Sequence, residues 1–472
     1  MKSSSILKNL SLTLSSNIFS LLISTLVILV IPKVIGIEEY GYLQLYIFYT
    51  SYVGFLHFGW NDGIYLRYGG ELYGDLNKRL FNSQFYLLVI VQFVIATVVY
   101  MVAGHLHFGN DKLFVINMTV ISLIFTNLRY MFLFILQGTN RIKDYSMVTI
   151  LDKLIYIVVI IMFLLIGKKN YQFLIFADLI GRALSLYYSM YLCKDIVSKT
   201  PLIKKNDFKE TLMNINVGIK LMFSNIASML IIGIVRLGIE RRWSIETFGK
   251  ISLTLSISNL MLIFINAIGI IMFPLLRRIE ESKLSEIYTI LRSLLMIVLF
   301  SGLLLFYPLR SLLLVWLGNY KESIMYMTLI FPICIYEGKM SLLINTYLKT
   351  LRKEKSMLFF NVITLLMSVV MSFITIKILN NLTLTVLLIL GLLMFRAIIT
   401  ELYLAKILKI TVCKSIVSEV AMTVSFVFSG WFFSGTISFL LFFISYLIYW
   451  LVFKNDVKNS LLILKGYFYQ AK

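Results

Sequence analysis

Charged residues are scarce in this sequence. Asp, Glu, Lys and Arg make up 14% of its 472 residues, against about 25% in soluble domains, which excludes an ordinary water-soluble protein. The period-two alternation of a membrane barrel is missing too, so the apolar segments must be helices. Cysteine is nearly absent. Cys193, Cys334 and Cys413 lie far apart, which argues against a disulfide framework or a metal site and for small apolar packing residues. No Gly-rich phosphate cradle or other nucleotide motif occurs, so the chain implies no cofactor and no ATP-driven pump. No small-residue cleavage pattern follows the first apolar stretch, which is expected to stay as a helix. Long loops are also lacking. The largest, at about 194–215, is Lys-rich and contains Pro201. Polysaccharide polymerases and ligases usually need a large external loop, so that reading is disfavoured.

What fills the sequence is apolar: 59% of residues are hydrophobic, in runs such as SNIFSLLISTLVILVIP and LTVLLILGLLMF. Roughly 20 such residues span a bilayer as a helix. Fourteen candidate spans lie near 10–32, 41–61, 81–104, 113–137, 146–166, 171–193, 216–239, 250–274, 290–307, 324–348, 357–378, 382–405, 415–433 and 436–453. With the N-terminus inside, 28 Lys and Arg fall in the inner loops and 10 in the outer ones. This bias predicts cytoplasmic termini. The tryptophans Trp60, Trp243, Trp316, Trp431 and Trp450 fall near span ends, where interfacial rings sit. The formal charge of +21 therefore reads as an orientation signal, reinforced by anionic lipid headgroups, and not as a nucleic-acid surface.

The sequence also repeats itself. Residues 15–45 align without a gap on 223–253 with 13 of 31 identical, pairing SNIFSLL with SNIASML and IEEYG with IETFG. Six spans separate the copies, an even number, so both enter the membrane from the same side and form a parallel repeat. The expected fold is an all-α polytopic membrane protein of about 14 transmembrane helices. It comprises a six-helix lobe at 1–195, a cytoplasmic linker at 196–215, a second six-helix lobe at 216–406, and two further helices and a tail at 407–472.

Several charges lie inside spans, where each costs roughly 2.5–3.5 kcal/mol. The cations are Arg129, Lys153, Arg182, Arg236, Lys339 and Arg396; the carboxylates are Asp152, Asp178, Glu337 and Glu401. Arg129 and Lys339 occupy equivalent positions of the repeat. The excess of cations predicts a basic cavity suited to an anionic substrate, since Arg offers a planar fork to phosphate oxygens. Asp178 and Arg182 are spaced to neutralise each other at i,i+4. Pro332 and Gly338 bracket Glu337 and predict a bend there.

The stretches IEEYGYLQLY, HFGWNDGIYLRYGG, SIETFGKISL and YPLRSLLLVWLGNYKES, within two six-helix lobes plus two spans, resemble the polysaccharide-transport branch of the multidrug/oligosaccharidyl-lipid/polysaccharide exporter superfamily. The resemblance covers nearly the whole chain. It implies a Wzx-type flippase in the bacterial plasma membrane, moving undecaprenyl-pyrophosphate-linked oligosaccharide to the outer leaflet beside a polymerase and chain-length machinery. The interior carboxylates Asp178 and Glu337 are the candidates for coupling to H+ or Na+. The related alternatives are a peptidoglycan-precursor flippase and a cation-coupled drug antiporter. The antiporter predicts an acidic cavity with a carboxylate in the first helices, and the first span has none.

Overall fold

The structure is a computed structural model that describes residues 21–198, 203–276 and 283–470, apart from the side chains of 263–276, 461 and 464–470. The start of the first span, residues 15–20 of the first repeat copy, Pro201 and the inner-loop cations Lys2, Lys8, Lys199, Arg277, Arg278 and Lys472 lie outside the described residues. Among the described residues there is no strand.

The chain divides into two compact units, Met1–Ile226 and Ala227–Lys472. In the first, α1 (Leu21–Val34) is followed by α2 (Ile37–Val53), α3 (Trp60–Tyr68), α4 (Lys78–His105), α5 (Asn110–Gly138), α6 (Ile142–Leu165) and α7 (Tyr171–Leu192). Helix α8 (Lys205–Arg242) contains the division between the units, and the second unit continues with α9 (Ile245–Leu276), α10 (Leu284–Leu304) and α11 (Phe306–Trp316). Next come α12 (Lys321–Ile330), α13 (Ile333–Lys339), a π segment (Met340–Ile344), α14 (Glu354–Phe373), α15 (Leu382–Leu408), α16 (Cys413–Phe432) and α17 (Gly435–Gln470).

Ten helices of the described residues are long and apolar enough to cross a membrane, or 11 with one bent pair. Fourteen spans were expected. The second is not one helix but α2, a short 3-10 turn at Gly54–His57, and α3. The tenth is the bent pair, turned by 42° where Pro332 caps Ile333; the missing proline N–H and the ring's bulk account for a bend there. The expected linker 196–215 is helical from Lys205 onward, as the opening turns of α8.

Both copies of the repeat begin a helix at the same place, IEEYG at Ile37 and IETFG at Ile245. Side-chain caps mark other starts. Leu80 N donates to Asn77 Oδ1 at 3.2 Å and Leu384 N to Asn381 Oδ1 at 3.0 Å, each satisfying an orphan donor of the first turn. Glu39 of the IEEYG stretch accepts from Tyr171 N, the first residue of α7, at 2.6 Å.

The core is largely apolar, but unlike a water-soluble bundle the surface is apolar too and amides are buried among the helices. Val98, Met101, Leu366, Val370 and Phe373 are exposed, as on helices that face lipid. The buried set includes Asn61, Gln84, Gln92 and Asn127. Trp60 Nε1 donates to Gln84 Oε1 at 3.0 Å, Asn214 Nδ2 to the same oxygen at 2.7 Å, and Asn127 Nδ2 to Gln92 Oε1 at 2.7 Å. Interhelical amide bonds of this kind hold bundles together where lipid offers no hydrophobic drive.

Small residues bring backbones together at one crossing. A Cβ on Gly63 of α3 would lie 1.9 Å from Asn214 O of α8, and one on Gly218 would lie 2.0 Å from Gly59 O. Backbone atoms cannot yield to such contacts, so Gly63→Ala should destabilise the protein by about 1–3 kcal/mol. Gly138→Ala, where the nearest atom is 3.7 Å away, should be nearly neutral. Thermal unfolding of the two variants in detergent checks the contrast.

Candidate functional site

The charged residues found in the apolar spans do not stand alone. In the first unit they converge on one face each of α2, α5, α6 and α7. On α7, Asp178, Arg182 and Ser185 are spaced at i, i+4 and i+7 and share a face; on α5, Thr126 and Arg129 do the same. Gly181 of α7 admits α6, since a Cβ there would sit 2.8 Å from Asp152 O. That close approach delivers the Asp152 carboxylate to the cluster.

Arg129 Nη1 lies 2.8 Å from Asp152 Oδ2 and donates to Ser185 Oγ at 3.3 Å. Ser185 Oγ in turn donates to Val148 O at 2.9 Å. Arg182 Nε donates to Asp178 Oδ2 at 2.6 Å and its Nη1 to Thr126 Oγ1 at 2.7 Å. Tyr46 OH donates to the same Asp178 oxygen at 2.7 Å. The i,i+4 pair expected from FADLIGRALS is thus present, and two residues absent from the sequence expectation, Tyr46 and Thr126, complete it. Lys153 is only partly buried and makes no ion pair among the described residues. The cluster holds Arg129, Lys153 and Arg182 against Asp152 and Asp178, so one cation is in excess.

The second unit encloses a closed ring of charge. Arg292 of α10 donates through Nε to Glu401 Oε1 at 2.6 Å and through Nη2 to Glu419 Oε1. Lys339 Nζ donates to Glu401 Oε2 at 2.7 Å and to Glu419 Oε2 at 2.6 Å. Tyr288 OH adds a bond to Glu401 Oε1 at 3.0 Å. Both carboxylates bridge both cations, and Lys339 and Glu401 are each 0% exposed. Nearby, Arg396 Nη2 donates to Glu337 Oε1 and its Nη1 to Ser228 Oγ at 2.8 Å. Arg236 Nη2 donates to Ser252 Oγ at 3.0 Å, and its guanidinium lies 5.3 Å from the Phe248 ring centroid.

The sequence reading expected these cations to line an open basic chamber. Within each unit the structure instead pairs Arg129, Arg182, Lys339 and Arg396 with acids. The reason is the cost of an unpaired charge in a low-dielectric interior. Arg129 and Lys339, equivalent in the repeat, are both held by carboxylates, but from different helices. Two members of the ring escaped the sequence reading. By its place at the start of the span near 290–307 Arg292 reads as an inner-loop cation, although it lies within an apolar stretch, ILRSLLMIVLF. Glu419 passed unnoticed, although an acid inside the apolar run of α16 was signal enough.

A polar cavity of about 410 Å³ reaches Arg292 between α10, α16 and α17, lined by Glu286, Thr289, Ser293, Ser415 and Tyr449 among others.

The sequence matches no protein-family model, and no curated protein matches it. Solved structures do resemble it. One is an inward-facing multidrug-resistance MATE family transporter of the MOP superfamily, with TM-score 0.60 and 12% identity, covering 83% of this chain and 98% of that one. Another is the lipid II flippase MurJ in an inward closed conformation, with TM-score 0.57 and 15% identity, covering 96% and 99%. A third is a MATE protein in the straight conformation, with TM-score 0.54 and 13% identity, covering 86% and 96%. At these identities the likeness establishes the fold. The chain is a multi-pass membrane protein with the helical architecture of MOP-type transporters.

The charge ring sets a stability test. Glu419→Leu leaves Arg292 and Lys339 facing one carboxylate and should cost about 3–5 kcal/mol, as breaking buried pairs does. Lys339→Met combined with Glu419→Leu restores neutrality and should recover most of that loss. Unfolding midpoints of the two single variants and the double variant decide it.

Proposed function

We propose that this protein is a flippase that carries undecaprenyl-pyrophosphate-linked oligosaccharide units from the inner to the outer leaflet of a bacterial plasma membrane, for surface polysaccharide synthesis. The observation that carries the reading is the extent of the structural match. The lipid II flippase covers 96% of this chain, whereas the two MATE proteins cover 83% and 86%. A fold that extends this far along a flippase of lipid-linked saccharide favours the same class of cargo here.

The charge distribution supports an anionic cargo. A pyrophosphate and its sugars cannot cross hydrocarbon alone, and a cationic site can replace their water. In the first unit that excess resides on Lys153, which makes no ion pair among the described residues. Arg129 and Arg182 contribute through guanidinium donors that their acids do not fill, and Arg236 and Arg396 play the corresponding part in the second unit, whereas Lys339 is spent within the closed ring. Asp178 and Glu337 keep side chains 13% and 24% exposed, and we assign to them the entry of a coupling H+ or Na+. The Lys/Arg asymmetry supports cytoplasmic termini. Polymerase and chain-length machinery would act on the product.

The match to a lipid II flippase also favours a second reading, transport of the peptidoglycan precursor. Expression in one strain lacking its polysaccharide flippase and in another lacking its peptidoglycan-precursor flippase separates the two. We expect surface polysaccharide to return in the first and no rescue of growth in the second. In the rescued strain, Lys153→Gln should lower surface polysaccharide severalfold at normal protein abundance, and Lys153→Arg should retain it. Full export by Lys153→Gln would remove the anion-binding role assigned to this residue.

A further inference from the structure

The stretch HFGWNDG supplies a second titratable constellation, apart from the charged clusters. His57 closes the 3-10 turn at Gly54–His57 that interrupts the second span, and it is 4% exposed. Its Nδ1 accepts a hydrogen bond from Gly59 N at 3.0 Å. Its Nε2 lies 3.7 Å from Asp62 Oδ2. Between them the backbone turns left-handed, with φ of 53° at Phe58 and 79° at Gly59. That conformation is unfavourable for a bulky residue such as Phe. The turn needs something to hold it, and the imidazole acceptor does.

The same turn positions a close helix crossing. A Cβ on Gly59 would lie 2.5 Å from Ile219 N of α8, and Gly63 N donates to Gly59 O at 2.8 Å. The elements packed on the turn present neutral amides. Gln92 Nε2 donates to Leu56 O at 3.2 Å, Asn127 Nδ2 to Val53 O at 3.0 Å, and Asn61 Nδ2 to Asn127 O at 3.0 Å. Tyr130 of α5 packs beside Gly54. The charged groups on these elements are engaged elsewhere or exposed: Arg129 pairs with Asp152, Arg67 with Glu210, and Lys220 is exposed. Asp62 is the carboxylate that faces the imidazole.

We propose that His57 is a proton-operated latch on the break in the second span. A proton taken from water onto Nδ1 forms an N–H bond there and uses the lone pair that holds Gly59 N–H. The ring then carries two donors and a positive charge. The Gly59 bond is lost, and the imidazolium swings its charge toward Asp62. The Phe58–Gly59 turn is released, and with it the grip of α3 on α8. The sign follows from linkage. The closed turn binds the neutral ring, so it is fully favoured at high pH and weakens as pH falls through the imidazole range. The latch makes no reference to the cargo.

The test is hydrogen exchange on the full chain in lipid nanodiscs between pH 5 and 8, corrected for the intrinsic pH dependence of exchange. Protection of the Phe58–Trp60 amides should fall about tenfold per pH unit once the ring titrates. His57→Asn keeps an acceptor for Gly59 N–H without a titratable ring, and its protection should stay flat. Asp62→Asn should move the fall to lower pH. Protection that does not change with pH in the unmodified protein, or an unaltered profile in His57→Asn, overturns the latch. If His57→Asn fails to fold, nitrogen NMR of the unmodified protein decides. An Nδ1 that gains its proton as Gly59 loses protection supports it, and an Nδ1 that is still a bare acceptor once Gly59 exchanges without protection refutes it.

Discussion

Everything in this structure answers to one constraint: charge withdrawn from water must be balanced locally. Most cations carried into the apolar interior meet a carboxylate within hydrogen-bonding distance, from another helix or, for Arg182, from its own. Arg129 meets Asp152, Arg182 meets Asp178, Arg396 meets Glu337, and Arg292 and Lys339 share Glu401 and Glu419. The pairing dictates packing. Asp152 reaches Arg129 only because Gly181 lets α6 approach α7. Electrostatic balance, small residues and helix contacts are therefore one arrangement seen three ways. A buried pair is not by itself a strong source of stability, but removing one partner is severe. The arrangement specifies which helices must be neighbours more than it adds to the free energy of folding.

The fold was legible in the sequence because hydrophobic runs and loop charge are one-dimensional signals. The repeat was legible for the same reason, and its two copies start helices at Ile37 and Ile245. The bend near Pro332 followed from proline's missing donor. What the sequence could not convey was which charges would meet. Arg396 and Glu337, or Lys339 and Glu419, are far apart along the chain, and a pair of that kind has no sequence period. Counting cations against acids gave an excess, and the excess suggested an open basic lining. The excess is unchanged by Arg292 and Glu419, one missed charge of each sign, but the distribution was not visible in it. The break in the second span was hidden too, because GFLHFGW reads as apolar and only its left-handed pair, Phe58 and Gly59, reveals the turn.

The irregular segments fall beside polar groups. Lys339 ends α13, and a π segment follows at Met340–Ile344. The turn at Gly54–His57 leaves Val53 O and Leu56 O to be met by Asn127 and Gln92. Irregular backbone at membrane depth survives only where protein satisfies it, and here buried amides do so. Such sites are less tightly ordered by helix hydrogen bonding than their surroundings, and so they are where a membrane helix can change shape at modest cost.

The helix α16 also takes on a defined role, although it lies outside the two halves that the repeat predicts. Arg292 and Lys339 carry two positive charges, and Glu401 supplies one negative charge in return. The other comes from Glu419 on α16. Without that carboxylate the interior of this unit would retain an uncompensated cation, at a position that is 0% exposed, and burying such a charge is costly. Glu419 therefore ties α16 to α10 and α13, and the charge ring is complete only with it.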